Sequence, residues 1–203
     1  VLLHLIGSLE RSAEAQAAYL ICYGNLFSFV TWAGFGLRAA CATVIGQNIG
    51  AGKVARGTHS VYVGTFVGFL WASFFGLFYW YFSGTLLGWF SLDGEGEQIV
   101  VEYAKELLHF LTFSGMFVVM SLAFTGGLQG AGDTKKPMYI AFVSQIVILL
   151  GICFFFQWQG TLDTTKIWTA ILVSHLARLI MSYIAFAFGG WRDITVEIGS
   201  GET

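Results

Sequence analysis

Phe66-Val67-Gly68-Phe69-Leu70-Trp71-Ala72-Ser73-Phe74-Phe75-Gly76-Leu77-Phe78-Tyr79-Trp80-Tyr81-Phe82 runs without a single charged side chain. Lipid offers the backbone no hydrogen bonds, so such a run crosses a bilayer either as a helix or as a strand of a closed barrel. Barrel strands alternate polar and apolar residues over about ten positions. Residues 66–82 show no such alternation, so the run is read as a helix.

The same texture recurs outward in both directions. Residues 17–47, 58–90, 107–128, 138–158 and 167–190 each supply the roughly 20 mostly apolar residues that span the hydrocarbon core. The first contains Arg38 and the last contains Arg178. Residues 1–9 read as the end of a preceding span. The composition agrees: of 203 residues 56% are hydrophobic and only 11% charged, where a water-soluble domain carries about 25% charged residues. The expected fold is all-α, a polytopic transmembrane helix bundle of five full spans plus the end of a sixth, forming one transmembrane domain over residues 1–203. The lipid bilayer is its first partner. Residues 192–203 read as a polar tail, and the opening Val-Leu-Leu-His, with no initiator methionine or charged leader, suggests that an amino-terminal part precedes it.

Other function classes fall away on composition. A net charge of −2 gives no reason to expect nucleic acid as a partner. Cys22, Cys41 and Cys153 stand alone in apolar stretches, which is neither a disulfide framework nor a redox or zinc pair. They read as small buried apolar side chains. The histidines (His4, His59, His109, His175) have no partner at i,i+4, so no metal site is expected.

The connectors set a sidedness. Residues 10–16 are short and polar, residues 50–57 hold Lys53 and Arg56, and residues 91–106 are acidic (Asp93, Glu95, Glu97, Glu102, Glu106). Residues 130–137 hold Asp133, Lys135 and Lys136, and residues 157–166 are mostly neutral. Alternate connectors lie on opposite sides, so Lys53, Arg56, Lys135, Lys136 and Arg192 share one side, and Arg11, Lys105 and Lys166 the other. The positive-inside rule assigns the first set, and with it the tail, to the cytoplasm. Tyr79, Trp80, Tyr81, Trp89, Tyr139, Trp158, Trp168 and Trp191 lie near the proposed span ends and read as an interfacial aromatic belt.

Two short glycine-rich segments end spans on that cytoplasmic side. One is Val44-Ile45-Gly46-Gln47-Asn48-Ile49-Gly50-Ala51-Gly52-Lys53-Val54-Ala55-Arg56; the other is Gly127-Leu128-Gln129-Gly130-Ala131-Gly132-Asp133-Thr134-Lys135-Lys136-Pro137. Glycine just past a helix accepts the left-handed conformation that closes it, and Lys53 or Lys135 suits the negative end of the helix dipole. Pro137 is placed to open the next helix. The first segment is not a phosphate loop. Gln47 stands where that motif needs glycine, Val54 replaces its hydroxyl, and a helix precedes it instead of a strand.

At these residues the sequence resembles the multidrug and toxic compound extrusion (MATE) family. The family carries a motif similar to VGQNxGAGK-x-x-R after the second helix of each six-helix lobe, and one similar to GxLQGxGDTxxP after the fourth helix of the carboxy-terminal lobe. Their counterparts here are Gly46, Gln47, Asn48, Gly50, Ala51 and Gly52, then Gln129, Gly130, Gly132, Asp133 and Pro137. The resemblance implies one lobe of a twelve-helix, two-lobe transporter in the plasma (inner) membrane. It would export small cationic or amphipathic compounds in antiport with Na+ or H+, with an amino-terminal lobe of the same protein as its partner and no cofactor besides the coupling ion. Some members place an acidic residue midway in the fourth helix of this lobe; residues 107–128 have none, so the coupling carboxylates are expected in the other lobe or in the preceding helix.

Charge and polarity inside a span default to a functional hypothesis. Asn25, Arg38, Gln145, His175 and Arg178 are therefore the candidate substrate or ion pathway, with His175 three positions before Arg178 on one helical face. Thr31 and His109 are further polar groups at membrane depth. The alternative is that these side chains hydrogen-bond between helices and hold the bundle together. A lipid-linked oligosaccharide flippase of a related branch would share the helix layout, with more basic residues expected in its cavity and without the two glycine segments. An intramembrane enzyme is not expected, because no nucleophile–base or paired-carboxylate arrangement lies at one depth. A structural membrane subunit is the remaining reading.

Overall fold

A computed structural model describes residues 1–90 and 96–193. A short helix α1 (Leu2–Ile6) precedes five long ones: α2 (Ser12–Gly50), α3 (Val54–Gly88), α4 (Glu97–Gly130), α5 (Lys135–Trp158) and α6 (Thr164–Phe188). All five are long and apolar enough to cross a membrane, and the described residues contain no strand. Asp93 and Glu95 of the acidic connector, and residues 194–203 of the tail, lie outside the described residues.

Helix α4 is the axis of the bundle. Its most apolar stretch is buried over 67% of its length, against 22–28% for the other four, and α2, α3 and α6 all pack on it. Lipid gives helices no hydrophobic drive to associate, so close packing between small residues must do so. On α2, Gly34, Arg38, Ala42 and Gly46 form an i,i+4 row facing α4. A Cβ on Gly126 would run into the Arg38 carbonyl oxygen, and one on Gly130 into that of Ala42. The G-x-x-x-G spacing of 126 and 130 thus lets two backbones touch. On α3, Gly68 and Gly76 play the same part against Val119 and Thr112, and the Thr112 hydroxyl lies 3.3 Å from the Gly76 carbonyl.

The helices reach further than apolar content predicts. Glu97, Glu102, Lys105 and Glu106, read as connector, stand on the first turns of α4, and Ser12–Gln16 likewise begins α2. The physical reason is length: 34 residues rise about 51 Å, against about 30 Å of hydrocarbon. The charged turns continue the helix outside the membrane, where hydropathy no longer reports it.

Three residues assigned to the aromatic belt are buried instead. Tyr79 is 4% exposed and donates its hydroxyl to the Leu26 carbonyl at 2.6 Å. Trp168, fully buried, stacks with Tyr19. Trp191 folds back over the end of α6, stacks on Phe186 at 5.1 Å and donates Nε1–H to the Phe186 carbonyl at 2.7 Å, satisfying one of the carbonyls a helix end leaves open. Trp80, Tyr81, Trp89, Tyr139 and Trp158 are exposed, as a belt requires. The three cysteines are buried, with the Cys22 thiol donating to the Ala104 carbonyl.

Two helices carry π-helical stretches, Leu20–Leu26 in α2 and Val143–Ile148 in α5. Such wide turns loosen the regular ladder and recur at functional sites. In the first, side chains attend to the carbonyls: Asn25 Nδ2 donates to Leu20 at 3.0 Å and Tyr79 to Leu26.

Candidate functional site

The two glycine corners have one backbone. After α2, the Gly52 N–H donates to the Ile49 carbonyl (2.9 Å) and the Lys53 N–H to that of Asn48 (2.7 Å). After α4, the Gly132 N–H donates to Gln129 (3.0 Å) and the Asp133 N–H to Leu128 (2.9 Å). Each is a Schellman closure, with the glycine at φ +70° in the first and +90° in the second. Both lie at the same end of the bundle, since a Cβ on Gly46 would sit 3.2 Å from the Gly130 carbonyl oxygen. The end of α6 joins them there, with Gly189 beside Lys136.

Around this shared frame the side chains differ. Gln47, Gly50, Ala51 and Gly52 are exposed, and Asn48 donates only to Val44, one turn back. In the second corner, Gln129 Oε1 accepts from Arg38 Nε at 2.9 Å, tying the span's arginine to the motif glutamine. Asp133 accepts the Lys136 N–H at 3.2 Å and pairs with Lys136 Nζ at 2.6 Å. Burial pushes the Asp133 carboxyl upward, but the hydrogen bonds and charge of Lys136 outweigh it and leave the group below the usual carboxylate range. Pro137, buried, sits in the first turn of α5, where a missing N–H costs nothing.

The remaining pathway candidates lie deeper and divide. Asn25 is exposed and bonded locally. Gln145 sits in the π stretch of α5, which packs on α6. His175 is 3% exposed on α6, its ring 6.5 Å from that of Tyr23 and 6.1 Å from that of Phe27. Arg178, half-buried, lies one turn on. Gln145 Nε2, His175 Nδ1 and Arg178 Nε are all buried without a hydrogen-bond partner, as is Ser182 Oγ on the same face of α6. Thr31 bonds back to Ser28, and His109 packs against Trp80 with tilted rings whose centres are 4.1 Å apart.

Sequence reasoning missed the aromatic wall of this site. Tyr19 stacks on Tyr23 at 5.0 Å, Phe27 continues the row along α2 with its ring tilted at 5.1 Å, and Trp168 and His175 face them from α6. The i,i+4,i+8 spacing of 19, 23 and 27 is visible in the sequence, but in so aromatic a chain it does not stand out. The faces of the row are covered by these partners, so it joins α2 to α6 through stacked rings. Among the described residues no group of three or more His, Cys, Asp or Glu could hold a metal ion.

Comparison with known proteins places this geometry. A family model described as MatE matches residues 1–155. The probable multidrug resistance protein NorM of Thermotoga maritima is 24% identical over 188 residues, covering 93% of this chain and 39% of the relative. The chain thus spans about two fifths of the length of the curated relative it matches.

Proposed function

This chain belongs to the MatE family, and on that premise we propose that it is the carboxy-terminal lobe of a secondary active transporter exporting cationic or amphipathic compounds in exchange for Na+ or H+. The observation that carries this reading is the meeting of the two glycine corners at one end of a bundle wound around α4. A lobe locked there by backbone-to-backbone packing can rock as one piece, which alternating access between repeated halves requires. The second lobe, supplied by the rest of the protein, completes the central cavity and brings the coupling carboxylates. The bilayer covers outward side chains such as Phe66, Phe74 and Trp32, each more than 60% exposed. Lys53, Arg56, Lys135, Lys136 and Arg192 favour a cytoplasmic position for the corners and tail, in the plasma (inner) membrane.

The test is efflux of ethidium and norfloxacin from cells expressing the complete transporter, with the Na+ and H+ gradients collapsed separately. Export that stops with one gradient names the ion, and export indifferent to both defeats the antiporter. The flippase reading draws on Arg38 and Arg178, which suit an anionic lipid-linked substrate. It predicts no drug efflux in the same cells.

A further inference from the structure

Arg38 and Arg178 place two guanidinium charges inside a lobe whose five apolar stretches (17–47, 58–90, 107–128, 138–158 and 167–190) contain no aspartate or glutamate. Among the described residues the only ion pairs are Lys136–Asp133 and Lys166–Asp163, neither of which involves these arginines. A charge at membrane depth is kept when it faces an opposite charge or a polar cavity. Arg38 spends one N–H on Gln129. Arg178 makes no hydrogen bond; its Nε is buried, and it stands on one face of α6 with His175 and Ser182, whose Nδ1 and Oγ are also buried and without partners. Gln145, another of the six buried unpartnered groups among the described residues, comes from the π stretch of α5 that packs on that helix. His175 is itself 97% buried, by its 3% exposure, and held between α2 aromatics.

Every charged group here is a cation, and the amide, the guanidinium and the hydroxyl all have N–H or O–H to give. A planar anion that accepts two parallel hydrogen bonds from the guanidinium would answer the Arg178 charge. We infer that Arg178, on one face of α6 with His175 and Ser182, forms a receptor for a carboxylate. It rests on the transport reading above only for the identity of its source: the carboxylate is carried either by the transported compound or by a side chain of the rest of the polypeptide.

Two dyes separate these sources, because norfloxacin bears a carboxylate and ethidium has none. Binding of each to the purified complete transporter in detergent is compared for wild type, R178Q and R178K, together with the thermal stabilisation given by benzoate. A receptor for the compound's carboxylate predicts that R178Q weakens norfloxacin binding about tenfold and abolishes the benzoate shift. R178K recovers part of both, since it keeps the charge without the two-pronged geometry, and ethidium is unchanged. A carboxylate from the protein predicts that R178Q frees that group and tightens ethidium several-fold, with benzoate giving no shift in either protein. A monodisperse R178Q that binds both drugs within twofold of wild type, or weakens both equally, overturns the inference and leaves Arg178 a packing residue. Should R178Q fail to fold, R178K decides alone: norfloxacin and ethidium binding both within twofold of wild type, with any benzoate shift undiminished, overturns it. Arg178-dependent binding without gradient-driven efflux would sink the transport reading and spare the receptor; efflux indifferent to R178Q would do the reverse.

Discussion

The corner after α2 and the corner after α4 share their Gly-Ala-Gly sequence, their Schellman hydrogen bonds and their left-handed glycine, yet they are set against different surroundings. At the second, Gly126, Gly127 and Gly130 are pressed on the Arg38 carbonyl, on Phe186 and Val61, and on the Ala42 carbonyl. At the first, a Cβ on Gly50 or Gly52 would meet nothing within 4 Å. One sequence pattern therefore answers to two different pressures. After α4, glycine is required by packing and by backbone angle together; at the turn that closes α2, Gly52 is required by its φ of +70°, while Gly50 has no steric reason to be glycine.

The largest effect that can break this contrast is at the α2–α4 contact. Gly126→Ala and Gly130→Ala each drive a methyl into a backbone carbonyl, which cannot swing away as a side-chain end would. Each is expected to destabilise the lobe by about 3 kcal/mol, read as a fall in melting temperature and in folded yield in detergent. If either melts like wild type, the close α2–α4 approach is wrong. The left-handed glycines come next. Gly132→Ala and Gly52→Ala each force a side chain into that region, at about 1–2 kcal/mol. The two should match, because the closure is the same in both, and a cost several times larger at one corner would show that the backbones are not equivalent.

The legible part of the molecule was what lipid imposes. Five spans, their helical nature and the glycine closures follow from residues 66–82 and their like, because a bilayer permits few solutions. The ends were less legible, since Glu97 to Glu106 leave the hydrocarbon while remaining helical and hydropathy reports solvent and not backbone. Burial within the spans was least legible. Every face of these helices is apolar, so Trp168 and Trp191, packed inside, look no different in sequence from Trp80 and Trp158, which face outward. For the candidate site, Arg178 and His175 announced themselves by polarity, whereas Tyr19, Tyr23 and Phe27 were hidden among aromatics that do nothing but meet lipid. That Arg38 bonds Gln129 depends on how α2 crosses α4, which no local pattern encodes.

A smaller effect tests the charge at the second corner. Asp133 has its pKa lowered overall, through Lys136, so its ionised form is favoured by folding. Stability from this source is complete above the unfolded carboxylate value of about 3.9 and is lost as pH falls through the lower folded value. Asp133→Asn should therefore cost less than about 1 kcal/mol at neutral pH, and its melting temperature should converge with wild type in acid. A gap that persists with Asp133 protonated would assign its role to shape, not charge.

The smallest predicted effect says most about the contrast. Gly50 is the last residue of α2, in helical geometry, with open space where a Cβ would go. Alanine there removes backbone freedom from the unfolded chain and adds helix propensity, so Gly50→Ala should be neutral or stabilising by up to about 1 kcal/mol. If the corner after α2 merely ends a helix, transport by the complete protein should be untouched as well. If that open surface instead meets the other lobe during rocking, the same methyl should slow transport while leaving the melting temperature intact. Stability and transport measured on one variant thus separate a helix end from a moving contact. A large loss of stability at Gly50 would remove the contrast, because both corners would then be packed.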